Sequence, residues 1–152
     1  MKPITILYGT ETGNSEYCAD ELGDFLLNWN LENRVLDMGK YEHAELPSEE
    51  YLFIITSTYG HGEPPENAYL LLEHLMKDRP SLSGVRFAVL SLGDSCYPLF
   101  AQCGKDFDRI LGELGGLRAF DRIDCDGDYD VQLAIFQGKV LALFQRDVKS
   151  AV

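Results

Sequence analysis

The sequence predicts a doubly wound α/β domain with three layers, a five-stranded parallel sheet between helices. Two observations carry that reading. Near-continuous apolar runs at Ile4–Tyr8, Tyr51–Ile55 (extending to Thr56) and Val85–Leu90 suit strands buried on both faces of a parallel sheet. Between and after them lie stretches whose apolar residues recur with helical spacing, so strands and helices alternate.

Ile4–Tyr8 is the first strand. Cys18, Leu22, Phe25, Leu26 and Trp29 form one apolar stripe and give the first helix. Arg34–Leu36 is a weaker strand signal, followed by a polar loop with no full helix. Tyr51–Ile55 is the third strand. The second helix follows from Ala68, Leu71, Leu72 and Leu75. Val85–Leu90 is the fourth strand, and Phe100, Cys103, Phe107, Ile110, Leu111 and Leu114 mark the third helix. Leu117–Ile123 is a weak fifth strand. Leu133, Phe136, Val140, Leu143 and Phe144 complete the order βαββαβαβα. Neither a repeat, a linker nor a low-complexity tract interrupts it, and the expectation is one domain over residues 1–152.

Composition narrows the class. At 152 residues, 45% hydrophobic and 25% charged, the chain reads as an ordinary globular protein. A net charge of −12 argues against nucleic acid and permits a basic protein partner. Its four cysteines form no C-x-x-C pair, which favours a reducing compartment. No apolar run approaches the roughly 20 residues needed to cross a bilayer, and Met1 leads almost directly into a strand. A soluble cytoplasmic protein, without a membrane role, is expected.

In doubly wound sheets, ligands bind beyond the C-terminal strand ends. The loops there read TETGNS (10–15), STYGHGEPPEN (57–67) and SLGDSCYPLF (91–100). The first is not a P-loop: Gly9 and Gly13 are one residue too close, and Asn14 stands in place of Lys. The G-x-G-x-x-G fingerprint is absent too. What remains is a helix N-terminus whose free amides favour an anion, flanked by Thr10, Thr12, Asn14 and Ser15, with Gly13 letting the backbone come close. A helix cap would explain one of those side chains, not four. Tyr59 and Tyr97 follow neighbouring strands, and two rings so placed can sandwich a flat heteroaromatic group, at about 0.5–1.5 kcal/mol per ring beyond burial.

Together the three loops resemble the flavodoxins. The likeness is nearest to the FMN domains of cytochrome P-450 reductase and sulfite reductase and to short MioC-type flavodoxins, and it spans almost the whole chain. The resemblance implies strand order 2-1-3-4-5 and one non-covalent FMN. Carried over by position, Thr10, Glu11, Thr12, Gly13, Asn14 and Ser15 match the phosphate loop. Ser57, Thr58, Tyr59, Gly60 and Gly62 match the first ring-binding loop. Leu92, Gly93, Asp94, Tyr97 and Phe100 match the second, with Cys103 just beyond and Asp126 near the flavin. The peptide at Gly60 is implied to turn towards the reduced ring. His61 and Glu63 stand where the family more often has Glu and Asp, which alters the local charge.

Other signals carry less. The aspartates at 121, 124, 126, 128 and 130 have the density of a calcium loop, but Ile135 stands where the bidentate Glu belongs, and no metal is expected. His43 and His74 read as ordinary surface residues. The implied function is a monomeric electron carrier, not an enzyme. It would pass single electrons from an NADPH-dependent flavodoxin/ferredoxin-type reductase to a downstream redox enzyme. The alternative is an FMN-dependent NAD(P)H:quinone-type oxidoreductase.

Overall fold

The computed structural model describes residues 2–58 and 62–150. Its elements are β1 (Ile4–Gly9), α1 (Asn14–Leu27), β2 (Asn33–Asp37), a 3-10 helix (His43–Ser48), β3 (Tyr51–Ser57), α2 (Glu66–Asp78), β4 (Arg86–Gly93), α3 (Gln102–Glu113), β5 (Leu117–Arg118), β6 (Ile123–Asp126) and α4 (Asp130–Ser150). All strand pairings are parallel, in the order β2-β1-β3-β4, and the fifth place is shared by β5 and β6, both paired to β4. This is the 2-1-3-4-5 order expected.

The apolar runs are continuous because successive residues serve two cores. Leu7, Leu52, Ile54, Phe87 and Val89 point to one face, where α2 and α3 add Leu71, Leu75, Phe107 and Ile110. Ile4, Ile6, Phe53, Ile55, Ala88 and Leu90 point to the other, where Leu22 and Leu26 of α1 and Phe136 and Val140 of α4 cover them. With period-two alternation and both faces covered, the partly exposed positions of these strands fall at or next to their ends, as at Tyr8, Ser57 and Arg86.

Three expectations need correction. Trp29 is not part of the α1 stripe: the helix ends at Leu27, and Trp29 is 51% exposed. The chain reverses through Asn30 at φ 60°, Leu31 N–H bonds to the Leu26 carbonyl (3.0 Å), and Leu31 packs on the core instead. The fifth strand is two pieces. Arg118 lies opposite Phe87 and Ile123 opposite Leu90, so two extra residues are accommodated between them. That detour packs the Phe120 ring on Phe136 (5.3 Å) and brings Arg118 (2.9 Å) and Arg122 (3.5 Å) to Asp108 of α3. Finally, His43 and His74 are not independent surface residues. Their rings lie 4.9 Å apart, joining the 3-10 helix to α2, and His74 Nδ1 is 2.7 Å from Asp78.

Candidate functional site: an anion loop and a cleft at the strand ends

β1 ends at Gly9, and the next four residues turn the chain into α1. Gly13 is the N-terminal cap residue, at φ 95°, a conformation that costs a residue with a Cβ. Its N–H donates to Thr10 Oγ1 (2.9 Å), which braces the turn. No side chain caps the helix, so the cap role open to Asn14 or Ser15 is not taken. The first intrahelical bond is Tyr17 N–H to the Gly13 carbonyl (3.0 Å), and the amides of Asn14, Ser15 and Glu16 precede it without intrahelical partners. Ser15 is fully buried, and its Oγ is the one buried side-chain polar atom without a hydrogen-bond partner among the described residues. A buried hydroxyl left so is unfavourable by about 1–3 kcal/mol. An unpartnered hydroxyl in the first turn of an uncapped helix, beside free amides and the positive end of the helix dipole, is a combination that suits an oxyanion without a cationic side chain.

Glu11, the acidic residue of this loop, is turned outward. Its Oε1 accepts the Glu66 N–H (3.1 Å) at the start of α2, where a helix dipole favours a carboxylate.

The cleft beside the loop is lined by Thr12, Asn14, Ser57, Thr58, Leu92, Gly93 and Gly127. Its floor is knitted across strands. Thr58 N–H bonds to the Leu92 carbonyl (3.0 Å), and Thr58 Oγ1 accepts the Cys103 N–H (2.9 Å). Ser57 Oγ reaches the Gly9 carbonyl at 3.5 Å. Cys103 itself is fully buried, with Sγ 3.3 Å from Thr56 Oγ1. Burial pushes its thiol up to about 12, so it stays protonated beneath the floor and presents no face to the cleft.

The second ring-binding loop is a turn. Asp94 Oδ1 accepts the Cys96 N–H (2.9 Å), and the Asp94 carbonyl accepts that of Tyr97 (3.1 Å). Asp126 fixes the turn from the neighbouring strand end. It accepts the Ser95 N–H (2.8 Å) and the Ser95 hydroxyl, and these bonds hold its carboxyl below the usual range. Gly127 N–H adds a bond to the Gly93 carbonyl (2.8 Å). Tyr97 stays half exposed, and Phe100 is partly buried with Lys105 Nζ 5.9 Å from its ring. Gly62, at φ 93°, lies against Leu99: a Cβ there would come within 2.6 Å of Leu99 Cδ1. The two ring-binding loops therefore touch. Tyr59, Gly60 and His61 lie outside the described residues.

The structure thus brings Thr12, Asn14, Ser57, Thr58, Leu92 and Gly93 to one cleft. Two residues escaped the sequence reading. Gly127 sits in the aspartate run and lines the cleft. Asn67, last in the second loop, grips the first: its Oδ1 accepts the Thr10 N–H (3.0 Å). The only sequence signal was proximity to quoted motifs.

Fold and cleft define a doubly wound domain with an anion-receiving loop at the switch point between β1 and β3. The family model for flavodoxin matches residues 6–137. The chain belongs to the flavodoxin family, and its cofactor is FMN; this family is itself the standing example of binding at that switch point. The chain is 43% identical over 142 residues to the sulfite reductase [NADPH] flavoprotein alpha-component of Shigella dysenteriae. That match covers 93% of this chain and 24% of the relative, so the chain spans about a quarter of the relative's length. Among solved structures, a flavodoxin from Streptococcus pneumoniae superposes with a TM-score of 0.84 at 23% identity, covering 95% and 99% of the two chains. A cysteine-to-serine variant of a Pseudomonas aeruginosa flavodoxin gives 0.77 at 28%, covering 91% and 98%.

Proposed function

We propose that this chain is an FMN-dependent electron carrier and not an enzyme, one flavin-binding domain over residues 1–152. It relays single electrons from an NADPH-dependent flavodoxin/ferredoxin-type reductase to a downstream redox enzyme. Bound FMN supplies the one-electron chemistry. The observation that carries the reading is Ser15, whose buried hydroxyl lacks a partner at an uncapped helix start. There Ser15 Oγ, Thr12, Asn14 and the first-turn amides hold the phosphate, while Thr10 and Gly13 shape the turn. Glu11 ties the loop to α2. Ser57, Thr58, Leu92 and Gly93 flank the rest of the cofactor. Tyr97 and Tyr59 stack on the ring, Gly60 and Gly62 shape the loop beneath it, and Asp94, Phe100, Cys103 and Asp126 support the second loop. The NADPH in the Shigella relative's name supports a nicotinamide-driven reductase as electron source. The protein acts as a monomer in the cytoplasm; among the described residues no helix is long and apolar enough to cross a membrane.

Equilibrium titration with FMN, riboflavin and FAD tests the reading. FMN is expected to bind tightly with the near-ultraviolet and blue flavin bands. Riboflavin, lacking the phosphate, and FAD, extended past it, should bind far more weakly. Equal affinity for all three would overturn the phosphate assignment.

A further inference from the structure

We infer that Asn67 is a positioning residue for the phosphate loop, acting on it from the side away from the cofactor cleft. This inference rests on the FMN-phosphate reading. Asn67 is the second residue of α2. Its Oδ1 accepts the Thr10 N–H at 3.0 Å. Its Nδ2 donates to Asp37 Oδ1 at 3.0 Å and lies 3.5 Å from the Tyr8 carbonyl. One side-chain amide thus ties the end of β1, the end of β2 and the first residue of the phosphate loop.

The amide has one workable orientation. Rotated by half a turn, its NH₂ would face the Thr10 N–H and its oxygen would face the Asp37 carboxylate, placing donor on donor and acceptor on acceptor. Asp37 is held in turn by the Gly39 N–H, which donates to the same oxygen at 2.7 Å. The grip passes along the chain. Asn67 fixes the Thr10 backbone, Thr10 Oγ1 accepts the Gly13 N–H, and Gly13 sets the direction of the amides that follow and of Ser15. Thr10, Glu11, Asp37, Glu66 and Asn67 line a hollow of their own, whereas Thr12 and Asn14 line the cofactor cleft, so Asn67 acts through the loop and not on the ligand. It also links the phosphate loop to the helix that follows the first ring-binding loop.

The test uses the full chain with FMN and riboflavin as probes and two variants: Asn67→Ala and Asn67→Asp. Asn67→Ala should weaken FMN about tenfold, the loss of one net hydrogen bond, while riboflavin changes less than about twofold. The Thr10 amide proton, protected in the wild type, should exchange quickly in this variant. Asn67→Asp should be worse, because two carboxylates then face each other. Equal loss of FMN and riboflavin would mean a general folding role and overturn the inference. So would unchanged FMN binding in Asn67→Ala. If the wild type itself fails to prefer FMN over riboflavin, the phosphate reading and this inference fall together; a wild-type preference that survives Asn67→Ala removes only the latter.

Discussion

Ser15 carries a hydroxyl that folding alone leaves without a partner, and this gives its replacement two effects of opposite sign. Ser15→Ala should stabilise the cofactor-free protein by up to about 1–3 kcal/mol, because an unsatisfied buried group is removed. The same change should weaken FMN by about 1.5–3 kcal/mol, roughly 10- to 150-fold, the range for a hydrogen bond to a charged group. Thermal unfolding of the apoprotein and an FMN titration check both signs; a variant less stable without cofactor would assign the hydroxyl a structural partner. Tyr97, in the turn after β4, has half its surface free, and the proposed function stacks it on the flavin. Tyr97→Ala should weaken FMN by roughly 1–3 kcal/mol through lost stacking and burial, and fluorescence titration reads it. Cys103, which the family pattern places beside the flavin, shows where motif spacing stops being informative. Its side chain falls on the inner face of α3, against Thr56, and is not among the residues that line the cleft.

The paired histidines bind two elements, the 3-10 helix and α2, and make their union sensitive to acid. Burial first, and then the neighbouring His74, lower the pKa of His43 from its ordinary 6.5, while Glu42 opposes this. The unfolded chain therefore binds more protons than the folded one just below that value. Stability is whole above about pH 6.5 and falls as the pH drops through it. His43→Gln should flatten this slope, as melting curves from about pH 7.5 to about 5.5 will show. A slope unchanged by the substitution would trace the acid sensitivity elsewhere. Elements differ in how plainly the sequence announces them. β1, β3 and β4 are legible because burial on two faces leaves uninterrupted apolar letters. The end of α1 is not, since Trp29 continues the helical spacing and only the reversal at Asn30 takes it out of the core. The break in the fifth strand is equally silent, because Phe120, Arg118 and Arg122 find their partners on other elements. Cross-loop bonds such as Asn67 to Thr10 and Asp126 to Ser95 join letters far apart, and neither letter alone signals them.

Across the whole molecule, charge sets the expected traffic. A net −12 favours basic partners and speeds their encounter, and salt screens that attraction over a Debye length of about 10 Å at 0.1 M. NADPH alone should bleach the flavin slowly. A flavodoxin/ferredoxin-type reductase should accelerate the bleaching, and added salt should slow it again, in a stopped-flow record. Fast bleaching by NADPH alone would identify an enzyme; partner-driven reduction indifferent to salt would place docking on apolar contacts.

The phosphate loop has one further consequence, in the kinetics of cofactor loading. No lysine or arginine stands between Thr10 and Ser15, so nothing in the loop offsets the repulsion between an acidic protein and an anionic ligand on its approach. The proposed phosphate contacts are short-range dipoles, which salt screens little, while the long-range repulsion is screened strongly. Uptake of FMN by the apoprotein should therefore quicken as ionic strength rises, the reverse of the trend for reductase docking.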